Sequence, residues 1–416
     1  MTRSSLLLET LGVRWRVDTS ALDEPQAARL AELWDRAVIE DDGAPAMDFT
    51  ILPSGSVQPP LAAPEAVVTE DFDRFPYVFS RALTLASIDH QRGQLLMFHA
   101  AGLASPDGQS ALVLYAASGT GKSTAARTLA TTWGYLTDET VGITSDLRVL
   151  PHPKPISMIP VGAPPGTKEE FSPDELALQA TPPAARVAAV VGLRREPEHT
   201  PATLVAIDLI EGLAAALSQT SSTALVPQPL HRLSEVLTQG GGPWLLEYTE
   251  IEEGLTLLRQ LIERPEGLID PTDSVTWTHI PPPPKRRLDA VVHHDLSTTA
   301  PTVDTTTGGP TGTSDETLLE AYGDQDTVVR APWTDAVHSD GAVLVLRDNV
   351  PAQLRGLGAL VWLLAEEPIT LAEVTAQAIA RHGPSEGAGI AIRAAVALLV
   401  GNGILERVHN LTGKNT

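Results

Sequence analysis

The sequence predicts an α/β protein, with a mixed α+β region ahead of its core and a small strand-then-helix unit at its C-terminal end. Three observations carry the prediction. Apolar strand-like runs at 95–103, 111–115, 187–192 and 204–209 are interspersed with helical stretches at 124–131, 213–218, 230–238 and 251–262. Between 279 and 326 the composition collapses toward Pro, Thr, Ser, Gly and Asp. Beyond it a compact pattern resumes, with strands followed by three short helices.

A chain of 416 residues, 43% of them hydrophobic, has material for two or three packed domains of ~100–200 residues. Its net charge of -23 argues against nucleic acid or an anionic membrane as the main partner, and suits a basic peptide or protein. With no cysteine, disulfides, thiolate metal sites and thiol nucleophiles are excluded. The N-terminal apolar run is too short for a signal peptide, and no segment reaches the ~18 apolar residues of a membrane span. A cytoplasmic location is expected.

Residues 1–90 form the first region. Val13-Arg14-Trp15-Arg16-Val17 alternates as a strand does, and 24–38 has the spacing of an amphipathic helix, but no chemistry is evident there. The core spans 91–278. Its segment 134–143 reads as one short strand bearing Asp138 and Glu139. Residues 279–326, including Pro281-Pro282-Pro283-Pro284, bury too little apolar surface to offset their ordering entropy, and a flexible linker is expected. The last unit, 327–410, has strands at 328–333 and 342–346 and a helix at 351–365. A second helix opens on the capping box Thr370-Leu371-Ala372-Glu373, and a third covers 386–400. Strands followed by three short helices describe a winged-helix-like module.

The chemistry concentrates in Ala116-Ala117-Ser118-Gly119-Thr120-Gly121-Lys122-Ser123-Thr124, between the strand at 111–115 and the helix after it. In that setting, loop N–H groups and a helix N-terminus converge on an anion, as in a P-loop. Ser118, Gly119, Thr120, Gly121, Lys122, Ser123 and Thr124 are the candidate nucleotide ligands. Lys122 would reach the β/γ-phosphates of ATP, and the Ser123 hydroxyl would bind Mg²⁺. Gly119 and Gly121 stand where positive φ is most needed, whereas the usual first glycine is Ala116. Asp138 and Glu139 are the candidates for metal and base, and His99 for contact with phosphate or acceptor.

These residues resemble the HPr kinase-like P-loop kinases, whose nucleotide-binding fold is similar to that of phosphoenolpyruvate carboxykinase. The resemblance rests on Met97-Phe98-His99, the loop Ser118-Gly119-Thr120-Gly121-Lys122-Ser123, and Leu136-Thr137-Asp138-Glu139-Thr140-Val141-Gly142-Ile143, and covers roughly 90–265. Pro153-Lys154-Pro155-Ile156-Ser157 is similar to the branch that modifies small peptides. The resemblance implies that Asp138 acts on a serine hydroxyl, that Glu139 assists the metal, and that His99 lies near the transferred phosphate. Glu139 stands where an aspartate is usual, and no glycine-rich HPr-binding segment is evident.

The C-terminal module resembles the PqqD-like leader-recognition elements of ribosomally synthesised, post-translationally modified peptide pathways. The matching residues include Val343-Leu344-Val345-Leu346, Leu360-Val361-Trp362-Leu363-Leu364 and Leu398-Leu399-Val400-Gly401. The resemblance implies a leader peptide added as a strand on a sheet edge, near Val343 and Val345, with Arg347 and Arg393 pairing leader carboxylates. The third helix has a single arginine, which argues against DNA. Two readings stay open: an ATP-dependent Ser/Thr kinase of a precursor peptide, or a non-catalytic scaffold that presents the leader to other modifying enzymes.

Overall fold

Two runs of alternating side chains, β1 (Ser5–Thr10) and β2 (Val13–Asp18), pair antiparallel around Leu11 and Gly12, both at positive φ as a tight hairpin requires. The computed structural model describes residues 5–57, 65–69, 74–117, 119–159, 168–263, 275–283, 302–303, 322–347 and 349–408. β3 (Met47–Leu52) joins β2 in parallel, and β4 (Ala66–Val68) joins β3. Helix α1 (Glu24–Leu33) starts on the capping box of Asp23 and Gln26. Helix α2 (Phe75–His90) packs Phe75, Phe79 and Leu83 into a core shared with Trp15, Phe49 and Ile51.

The first region, 1–90, falls in one compact unit with the core: the chain divides into two units, residues 1–274 and 275–416. Arg36 Nη2 meets Asp174 Oδ1 at 2.5 Å, Arg29 Nη1 meets Glu175 Oε1 at 2.8 Å, and Gln91 Nε2 donates to Leu11 O at 2.7 Å. Thr84 Oγ1 lies 3.0 Å from Nε2 of the fully buried His152, whose pKa burial pushes down to about 3.

The core is a mixed sheet. β5 (Leu96–Ala104) pairs antiparallel with β6 (Ser110–Tyr115), which leads through the 116–124 loop into α3 (Lys122–Ala130). The segment expected as one strand is two, β7 (Gly134–Thr137) and β8 (Thr140–Ile143), both paired to β5. The pair Asp138-Glu139 forms the bend between them; the Glu139 carbonyl still accepts from Ala100 N of β5 at 3.0 Å, while both residues line a pocket with the 116–124 loop. β9 (Arg148–Leu150) pairs with β8, while β10 (Ile156–Met158) and β11 (Glu169–Phe171) form a separate hairpin. The long β12 (Ala185–Arg195) lies parallel to β6. Next come β13 (Thr203–Ala206), α4 (Leu209–Leu217), β14 (Thr220–Ser221), α5 (Pro229–Leu237), β15 (Trp244–Tyr248) and α6 (Ile251–Glu263). The order is β13-β15-β12-β6-β5-β8-β9. Strands β6, β12 and β15 are parallel at its centre and read as apolar runs, because helices cover them; Leu129 of α3 and Leu258 of α6 share one core with Leu114, Val191 and Leu246.

In the second unit the expected linker is shorter than its composition suggested. β16 (Thr278–Ile280) pairs antiparallel with β19 (Asp335–Ser339), and His279 Nε2 sits 2.6 Å from the buried Asp335 Oδ1. The backbone of β17 (Thr302–Val303) pairs in parallel with β21 (Val350–Leu354). At the other end Tyr322 packs on the core and Leu371 N donates to Asp326 O. The remainder of 279–326 lies outside the described residues. β18 (Thr327–Arg330) joins a second small sheet, and β19, β20 (Ala342–Arg347) and β21 form a meander. The helix expected over 351–365 therefore begins late: 350–354 is strand, turned back by Asn349 at φ 68°, and α7 covers Gly356–Leu364. After β22 (Ile369–Thr370) come α8 (Leu371–His382), on the predicted Thr370/Glu373 box, α9 (Ala388–Gly401) and β23 (Leu405–Val408). The fold is thus mixed α/β, and among the described residues no helix is long and apolar enough to cross a membrane.

Candidate functional site

The loop from β6 to α3 takes the backbone that an anion cradle needs. Gly119 and Gly121 have φ of 83° and 108°, which side chains other than hydrogen resist. Gly121 precedes α3 with no side-chain cap, so the first-turn N–H groups are left for a ligand. Tyr248 Oη, at the end of β15, donates to Thr120 O at 2.5 Å and braces the loop. Ala116 does not have positive φ and its methyl lies in the core with Leu114 and Ala126. The backbone at this position therefore does not call for glycine. We expect Ala116→Gly to leave nucleotide affinity within twofold while lowering stability by about 0.5–1 kcal/mol, through lost packing and a looser unfolded chain; calorimetry and chemical denaturation read the two effects.

Lys122 is 7% exposed, and its Nζ donates to Ala116 O, with Ala117 O at 3.5 Å. Burial lowers its pKa, and among the described residues it has no carboxylate partner, so its charge is held for a ligand. Ser123 and Thr124 stand exposed beside it, while Gly119 and Thr120 shape the loop. Ser118 lies outside the described residues.

Across a pocket of about 510 Å³ from this loop sit Asp138, Glu139 and His99. His99 is the one exposed side chain in the otherwise buried β5, rather than a packed core histidine. Partial desolvation of its ring within the pocket, with the Lys122 charge, lowers its pKa and favours the neutral imidazole. Asp138 is 7% exposed and accepts from Tyr135 Oη at 3.1 Å.

Lys154 ties these groups together. An ordinary loop lysine would be exposed; this one is 3% exposed, with Nζ 3.2 Å from Glu139 Oε2, 3.6 Å from Asp138 Oδ1 and 2.9 Å from Pro155 O. Burial opposes its charge, but Asp138, Glu139 and Glu170 outweigh burial and raise its pKa. Burial likewise works to raise Glu139, and Lys154 overrides it and holds the carboxylate below its ordinary range. Glu170, 4% exposed and bonded to Ser157 Oγ, is raised by burial.

Among the described residues no cluster of three or more His, Asp or Glu could hold a metal ion unaided. Ser123 and Glu139 fit Mg²⁺ only together with phosphate oxygens, which is how that ion usually binds in nucleotide sites.

In the second unit the expected peptide contacts are spent internally. Val343 and Val345 are 0% and 2% exposed in the central strand β20, because a buried strand turns such side chains into the core. Arg347 donates to Gly403 O, and Arg393 Nη1 pairs with Asp324 Oδ1 at 3.0 Å. The last strand of that meander is β21, which β17 flanks at Gln353–Leu354 and where Val350, beyond that pairing, is 48% exposed. Sequence reasoning missed Tyr135, Tyr248 and the α2 residues that line the pocket. Tyr248 lies 128 residues from the carbonyl it braces, and no local pattern signals such a contact.

A scan of protein-family models and a search of curated proteins return no match to this chain.

Proposed function

We propose that this protein is a P-loop, HPr kinase-like enzyme that phosphorylates a Ser or Thr hydroxyl of a precursor peptide with Mg-ATP, the peptide's leader docking on a winged-helix-like, PqqD-type second unit. The observation that carries the reading is the facing arrangement of an anion-ready loop and a buried carboxylate within one pocket. Lys122, the loop N–H groups and α3 would hold the β/γ-phosphates, with Ser123 and Glu139 as protein ligands of the magnesium. The metal would supply neutralisation of charge on the transferred group. Asp138 would accept the hydroxyl proton as the acceptor oxygen bonds to the γ-phosphorus and the bond to the β–γ bridging oxygen breaks, releasing ADP. Lys154 and Tyr135 keep Asp138 placed, so most of the catalytic effect comes from positioning and electrostatics.

The leader's strand would add to β21 rather than to β20. The short pairing of Thr302–Val303 occupies only Gln353–Leu354 of that strand, so a leader would add along Val350–Ala352 or take the place of that pairing. A tethered leader would raise the concentration of the acceptor at the loop. The scaffold reading drew on Ala116, and the ordinary backbone of that residue favours the catalytic reading over it.

Radiolabelled γ-phosphoryl ATP with a positional library of serine peptides tests this. Magnesium-dependent label on peptide serine, lost in Lys122→Ala, is the expected result; no label on any peptide, with the labelled nucleotide intact, contradicts it.

A further inference from the structure

The N-terminal region, without evident chemistry in its sequence, delivers one wall of the pocket. Tyr77, Ser80 and Arg81 of α2 line it, together with Lys168 just before β11. Tyr77 and Arg81 are one helical turn apart and share a face. The Lys168 ammonium lies 4.9 Å from the Tyr77 ring centroid, which brings it to that same face. In a chain of net charge -23, Arg81 and Lys168 are both exposed and neither has an ion-pair partner among the described residues. A second observation points the same way. Ser80 is 3% exposed, and its Oγ has no hydrogen-bond partner. Buried hydroxyls are ordinarily satisfied, so this one is placed for a ligand atom or bridging water.

We infer that Tyr77, Ser80, Arg81 and Lys168 form a second anion subsite, which takes a carboxylate of an acidic acceptor peptide next to the hydroxyl to be phosphorylated. The 116–124 loop already provides donors and a lysine for the nucleotide phosphates. Lys168 lines the same pocket and adds to the positive potential on Glu139, beside Asp138. An acceptor hydroxyl at Asp138 would hold a flanking acidic side chain within reach of that pair. The subsite explains how an acidic protein holds an acidic acceptor: the attraction is local and salt-sensitive. This inference rests on the phosphotransferase reading for the acceptor's role, while the anion subsite itself is testable alone.

The test uses the full chain and calorimetry. The probes are Mg-ATP, a serine peptide flanked by glutamates, and the same peptide with lysines in their place, the peptides being titrated with Mg-ADP present. Both cations are exposed, so Arg81→Glu with Lys168→Glu preserves the core, which circular dichroism checks. The expected result is binding of the acidic peptide alone, weakened at least tenfold in the double variant, with Mg-ATP affinity unchanged within twofold. Equal binding of acidic and basic peptides, or no loss in the variant, overturns the subsite. A tenfold loss of Mg-ATP affinity overturns the carboxylate assignment and gives the pair to the nucleotide's phosphates. Failure of the wild type to bind Mg-ATP would sink the nucleotide reading instead, leaving the peptide titration to report on the subsite.

Discussion

Lys154→Met is expected to remove phosphoryl transfer by at least a hundredfold and to destabilise the first unit by about 3 kcal/mol at neutral pH, the lower end for breaking a buried pair because Glu139 is half exposed. The lysine is the positive charge between Asp138 and Glu139, and Glu170 adds a third buried carboxyl nearby. Without it, burial acts unopposed on Glu139 and Glu170, and their pKa values rise. The sign of the pH dependence is set by Glu139. In the wild type it has a lowered pKa, so its contribution to stability is present above the ordinary carboxylate pKa and lost as pH falls through the lowered value. In the variant Glu139 and Glu170 are raised, so protonation relieves them and the stability gap to wild type narrows below about pH 5. Denaturant titrations at several pH values measure this; a gap independent of pH would show that Lys154 acts through packing alone.

Asp138→Asn is expected to reduce transfer to a peptide hydroxyl by roughly 10²–10³-fold while leaving Mg-ATP affinity within threefold, as removal of a general base should. The near-isosteric amide keeps an acceptor for the Tyr135 hydroxyl, so the change is electronic rather than structural. Glu139→Gln should behave differently, weakening the magnesium dependence of nucleotide binding. If the two substitutions lowered nucleotide affinity equally, the division of roles between neighbouring carboxylates would fail.

How much of this architecture the sequence revealed depends on range. The loop, its flanking strand and helix, and the Thr370/Glu373 cap are local patterns, and each appears where the residues put it. Asp138 and Glu139 were visible as a pair, but the turn that separates β7 from β8 was not, because apolar residues on both sides read as one strand. The interior of a mixed sheet likewise hid the fate of Val343 and Val345: a buried central strand and an apolar edge strand have the same composition. Lys154 is the sharpest example. Its neighbours in sequence are prolines, as in an exposed loop, and only the tertiary approach of Asp138 and Glu139 makes its burial tolerable. The role of 1–90 was illegible for a similar reason, since Tyr77 meets Lys168, and Arg81 joins the same pocket, across a long stretch of chain.

Every step proposed above needs the 116–124 loop to bind the phosphates of a nucleotide, which calorimetric titration of Mg-ATP into the full chain, beside Lys122→Ala, measures. Micromolar binding that the substitution weakens at least a hundredfold is the predicted result. No detectable heat from the wild type at millimolar Mg-ATP, or binding that Lys122→Ala leaves intact, would contradict the account.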